Sequence, residues 1–109
     1  MLRDSGYHVV SVLLINTVED DSANLVQGAK SLMNRKGDLP GFVEGEVFQS
    51  EDQSRILIIT EWASQHDWSM SQWDREVADS LVSIVQTASA IDSRTYYRAG
   101  RISMDESTD

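Results

Sequence analysis

Apolar and polar positions along this chain alternate with two periods, close to two in some stretches and close to three and a half in others. HVVSVLLIN, from His8 to Asn16, is almost continuously apolar, rich in valine and too short for a free-standing amphipathic helix. It predicts a first strand buried on both faces, and so a central one. Beyond it, EDDS supplies N-cap candidates and acidic residues, which predicts a helix starting near Asp21 or Ser22. Leu25, Ala29, Leu32 and Met33 recur at three- and four-residue spacing as its apolar stripe. Arg35 and Lys36 suit the negative end of the helix dipole, and Gly37 is the expected left-handed cap.

The stretch Leu39 to Trp62, LPGFVEGEVFQSEDQSRILIITEW, predicts a hairpin. Pro40 gives a stiff entry, Val43, Gly45 and Val47 alternate with Phe42, Glu44, Glu46 and Phe48, and the run Ile56 to Ile59 is apolar and mostly β-branched. SEDQS between the arms is a polar turn of hairpin length. Next, ASQHDWSMSQWDREVADSLVSIVQTASAI reads as helical, in one piece or two, with Ser64 as cap and Asp67 in its first turn. Trp68 and Met70 fall in a short leading piece; Trp73, Val77, Leu81, Ile84 and Val85 trace the longer stripe, which Asp92 and Ser93 end. A fourth strand is expected from Arg94 to Ile102. Met1 to Gly6 reads as a loose lead-in and the chain from Ser103 as a disordered acidic tail.

The order β, α, β, β, α, β, joined by right-handed crossovers, places both helices on one face of a four-stranded antiparallel sheet, a ferredoxin-like α+β fold. Leu57 and Ile59 alternate with Ile56, Ile58, Thr60 and Trp62, so the third strand is apolar on both faces. A second copy's sheet is the expected cover, which predicts a homodimer.

With 109 residues, 40% of them hydrophobic, the chain has room for one core, so a single domain over 1–109 with an ordered part near 7–102 is expected. Its net charge of -9 argues against a phosphate-binding surface and hence against nucleic acid. No signal-like start and no long apolar run appear, so a soluble, cytoplasmic protein without a membrane partner is expected. Cysteine is absent, which removes disulfides and thiolate chemistry.

Only His8 and His66 could ligate as histidines, neither at a ligand spacing with carboxylates, so no metal is expected. Gly41 and Gly45 flank a strand and do not open a helix, so no nucleotide cofactor is expected either. No nucleophile elbow arranges Ser, His and Asp. Trp62, Trp68 and Trp73 could line one end of the space between sheet and helices, as core packing or as a pocket for a flat apolar ligand. Glu44, Glu46 and Glu61 read as solvated strand residues, the alternative being a buried one with a raised pKa that acts as a base.

PGFVEGEVFQSEDQSRILIITEWAS, followed by an aromatic at Trp68 on this element order, resembles the antibiotic-biosynthesis-monooxygenase domain family over about Val9 to Ile102. The resemblance implies a dimeric α+β barrel with a pocket in each subunit. It also implies a cofactor-independent oxygenase that oxidises an anthrone-like or other polyketide-type phenolic molecule with dioxygen. Trp62 and Trp68 match the family's functional aromatics, Trp62 as catalytic and Trp68 as stacking on the substrate. Ile58 stands where some members carry an asparagine, a substrate-facing position that here cannot hydrogen-bond an oxyanion. Asn16 is the remaining asparagine candidate for that role, or else a turn former at the strand end. His66, one helical turn from Trp62, is a candidate proton carrier near neutral pH, or else a surface histidine. Haem-degrading relatives need a histidine in the helix after strand three, and none follows His66. A non-catalytic ligand-binding dimer is the alternative from another class.

Overall fold

The computed structural model describes residues 8–17 and 21–102. The expected lead-in before Tyr7, the acidic tail, and Glu19 and Asp20 of the cap cluster lie outside those residues. Seven elements follow in order: β1 (Val9–Asn16), α1 (Ser22–Gly37), β2 (Phe42–Gln49), β3 (Arg55–Trp62), α2 (Gln65–Ser71), α3 (Arg75–Thr87) and β4 (Ala90–Tyr97). The four strands form one antiparallel sheet in the order β2-β3-β1-β4. This is the expected ferredoxin-like α+β arrangement, with β1 central.

Register sorts the strand residues into rows on two faces. Toward the helices the rows run Gln49–Ile56–Ile15–Ile91, Val47–Ile58–Leu13–Ser93, Gly45–Thr60–Ser11–Thr95 and Phe42–Trp62–Val9–Tyr97. Leu25, Ala29 and Leu32 of α1 and Val77 and Ile84 of α3 cover the first two rows and make the buried core. The opposite face carries Val10, Val12 and Leu14 on β1 and Leu57 and Ile59 on β3, all half-buried, with Phe48 and Tyr96 exposed. No helix of the described residues is long and apolar enough to cross a membrane.

Several boundaries depart from expectation. Phe42 does not share a face with Glu44, Glu46 and Phe48, because a bulge between Phe42 and Glu44 shifts the register and turns Phe42 inward with Gly45 and Val47. Gly37 is not the left-handed cap. The chain leaves α1 through Asp38, whose N–H reaches the Arg35 carbonyl, and the positive φ of 85° falls at Gly41. Asp21 precedes α1 without a side-chain cap bond. Asp92 and Ser93 do not end a helix; they pair with Leu14 and Leu13 inside β4, which starts and ends earlier than expected. The helical stretch after Trp62 is two helices, and Trp73, placed in the apolar stripe by spacing, sits in the turn between them at 81% exposure.

Candidate functional site

The inner face changes character toward the C-terminal end of β3. Its first two rows are apolar except for Gln49 and Ser93 on the edge strands, but the third carries Thr60 and Ser11, both buried, and Thr95. A polar side chain in a buried row needs a partner. Thr60 finds one in Trp62, whose indole Nε1 donates to Thr60 Oγ1 at 3.0 Å. Trp62 has no exposed surface and packs edge-to-face against Phe42, with ring centroids 5.4 Å apart. Gly45 completes the row because a Cβ there would crowd the Met33 thioether and the Phe42 ring at 3.0–3.1 Å. On β4 the inward residues Ser93, Thr95 and Tyr97 are exposed, so the helices leave this side of the sheet open.

α2 borders that opening. Ser64 starts it, accepting from the Asp67 N–H at 3.1 Å. Tyr97 of β4 donates its hydroxyl to Gln65 Oε1 at 3.0 Å, so the Gln65 side of α2 faces the inner surface of β4. Trp68, one turn on, shares that side. Its Nε1 is buried and has no acceptor among the described residues. A buried indole N–H without a partner is an available donor. The Ser71 hydroxyl donates to the Trp68 carbonyl at 2.6 Å and steadies the turn.

On the other side of α2 lies a cavity of about 420 Å³. Leu39, Pro40, Met70 and Trp73 give it apolar walls; His66, Asp67 and Asp74 give it polar ones. Asp74 caps α3 through the Val77 N–H at 3.0 Å and takes two hydrogen bonds from Arg35 at 2.7 and 2.9 Å. Those bonds hold its carboxyl well below the ordinary range, at about 2. Two further charged groups are buried. Glu61 faces away from the helices, between His8 and Arg98. Desolvation pushes its carboxyl up, but the hydrogen bonds and charges of His8 and Arg98 together outweigh that and bring it below the usual value. Lys36 is buried on the α1 stripe, and desolvation lowers its ammonium to about 8. Among the described residues no group of histidines and carboxylates could hold a metal ion.

Comparison with solved structures matches this arrangement of sheet and helices. A protein from Deinococcus radiodurans provisionally named an antibiotic biosynthesis monooxygenase superposes with a TM-score of 0.78 at 14% identity, over 88% of this chain and 97% of that one. One of the same provisional name from Nitrosomonas europaea gives 0.76 at 10% identity, over 92% and 94%. A conserved protein of unknown function from Bacteroides thetaiotaomicron gives 0.79 at 13%, over 84% and 98%. The chain has an antibiotic-biosynthesis-monooxygenase-like fold. No protein-family model matches it, and no curated protein matches its sequence.

Within this fold the expected site residues do not all meet. Trp62 and Trp68 stand at the same end, where α2 follows β3. Asn16 does not join them: it pairs with Arg55 while Trp62 pairs with Val9, seven positions away along β1 and roughly 23 Å. Its position also alternates onto the outer face. Ile58 is 1% exposed within the core cluster, where a ligand cannot touch it. His66 lines the cavity on the other side of α2. Trp73 lines that cavity too and not the inner face, and Glu61 is buried where a solvated carboxylate was expected. The polar row had a signal in sequence, since Ser11 and Thr60 each interrupt an apolar run at an inward position. Glu61 had none, because His8 and Arg98 reach it from residues 53 and 37 positions away.

Proposed function

We propose that this protein is a cofactor-independent monooxygenase for a planar phenolic or anthrone-like molecule, working as a homodimer through the outer sheet face. The observation that carries the reading is the buried, unpartnered Nε1 of Trp68, one helical turn from Gln65, which accepts the hydroxyl of Tyr97 on the inner face of β4. A flat substrate entering over the exposed Thr95 and Tyr97 would displace the packing that covers that N–H and bring its carbonyl oxygen to it. Its activated CH₂ group loses a proton, giving an enolate whose oxygen the indole N–H stabilises. The carbanion form adds dioxygen; protonation gives a hydroperoxide, and loss of water breaks the O–O bond and leaves a carbonyl. One CH₂ and one O₂ thus become one C=O and one H₂O. Trp62 serves as a positioning residue, since its own N–H is engaged by Thr60.

A second reading, a non-catalytic ligand-binding dimer, is favoured by one feature: none of the inner-face row residues is a carboxylate or a histidine that could take the proton. Oxygen uptake with a panel of anthrones separates the two. Trp68→Phe keeps the ring and removes the donor, and should lower turnover by about 10- to 1000-fold. Unchanged turnover would remove Trp68 from the reaction. Binding of planar aromatics without any oxygen uptake by the wild type would leave the binding reading in its place.

A further inference from the structure

The second face of α2 looks onto a cavity that the monooxygenase reading leaves unused, and its chemistry differs from that of the inner sheet face. Its volume of about 420 Å³ is in the range of small-molecule sites. Leu39, Pro40 and Met70 supply an apolar surface, and neither lysine nor arginine is among its lining residues. Trp73 stands at its edge with 81% of its surface exposed and Met70 with 55%, which is unusual for side chains that lose free energy in water.

The charges around it favour one sign. Arg35 reaches Asp74, but it is shared with Glu76 at 2.9 Å, so these two carboxylates divide one guanidinium between them, and Asp67 has no ion pair among the described residues. Asp67 is held in place: the Ser64 hydroxyl donates to its Oδ2 at 3.0 Å, and the side chain lies against the bare Cα of Gly41. Its Oδ1 takes no hydrogen bond from the described residues. A fixed carboxylate close to an exposed indole is a pairing that attracts a cation from two directions.

We propose that this cavity binds a small organic cation, an ammonium group on an apolar body. The body lies against Leu39, Pro40 and Met70, and the ammonium between Asp67 and the Trp73 indole. An anion would meet the unpaired Asp67 with no lysine or arginine in the lining, and a neutral aromatic would leave Asp67 unused. The site is separate from the one proposed for oxidation, because His66, Asp67 and Met70 occupy the side of α2 turned away from Gln65 and Trp68.

The three indole N–H signals in nitrogen-proton correlation spectra, assigned with single Trp→Phe variants, read the outcome directly. Phenethylammonium should shift the Trp73 signal saturably, and 3-phenylpropionate, of the same shape and opposite charge, should need at least about tenfold more. Asp67→Asn keeps the acceptor for Ser64 and should weaken the cation about 2- to 5-fold. Trp73→Leu, followed by calorimetry, should weaken it by a similar factor. The proposal is overturned if the anion or neutral 2-phenylethanol binds as well as the cation, or if Asp67→Asn binds it unchanged. A shift confined to Trp68 would also overturn it, by placing the ligand across the helix, and so would no saturable shift in the millimolar range.

Discussion

Lys36 and Arg35 are neighbours with opposite fates. Arg35 finds two carboxylates and is raised further by the Asp74 hydrogen bond, whereas Lys36 falls on the stripe of Leu25, Ala29 and Leu32 and is 4% exposed with no ion pair among the described residues. Both were expected to serve the helix dipole. The spacing from Leu32 to Lys36 already placed the lysine inward; its charge pointed the other way, and packing prevailed. Burial disfavours the charged form, so the folded-state value near 8 lies below the ordinary 10.5. Between those values the unfolded chain binds more protons than the native one, so stability from this group rises with pH across that window. Lys36→Met should stabilise the protein near neutral pH by about 1–3 kcal/mol and flatten the rise toward alkaline pH. Urea denaturation of both proteins at neutral and alkaline pH measures this. Asp74 behaves oppositely: its depressed carboxyl contributes above about 3.8 and loses that contribution as pH falls toward 2.

Among the elements, the turn into β2 depends most on one residue. Gly41 takes a φ of 85°, its carbonyl accepts from the Ala63 N–H at 2.7 Å just beyond Trp62, and a Cβ would run into the Asp67 side chain. It therefore joins the start of β2, the end of β3 and the start of α2 at one point. Gly41→Ala should cost at least about 1–2 kcal/mol from the left-handed backbone alone, and more from the collision. Thermal unfolding checks it, and a neutral Ala variant would show that the turn relaxes freely. That the PGF step mattered was legible in sequence; that the left-handed residue was Gly41 and not Gly37 was not. The choice depends on how far α1 runs before Leu39 closes onto the Lys36 carbonyl. The position of β4 was equally hidden, because Asp92 and Ser93 resemble a helix stop. Only pairing with Leu14 and Leu13 makes them strand residues.

For the whole molecule, the sheet face turned away from the helices is the feature with consequences. Val10, Val12, Leu14, Leu57 and Ile59 form a half-buried apolar centre with Phe48 and Tyr96 exposed on its flanks, an apolar face of the kind that marks an interaction site. The proposed homodimer would cover it. Light scattering should give twice the mass of the chain, and Val12→Glu should give a folded monomer, since a carboxylate at the patch centre would be desolvated on association. A wild-type monomer at micromolar concentration would rule this arrangement out.

Element order, antiparallel pairing, the central β1 and the placing of Trp62 and Trp68 at one end were all determined by sequence alone. Each rests on local periodicity or on connection rules that act between neighbours in the chain. Tertiary structure decided which apolar or charged residue went where. Trp73 follows the stripe yet lies in the solvent, because the helix breaks beside it; Asn16 is a strand-end asparagine yet stands seven positions from Trp62, because antiparallel register sends the two ends of β1 to opposite ends of β3. Ion pairs such as Glu61 with Arg98 and Arg35 with Asp74 join residues 37 and 39 positions apart. Periodicity reports only which side of its own element a residue occupies, so such partners become visible only when the chain is folded.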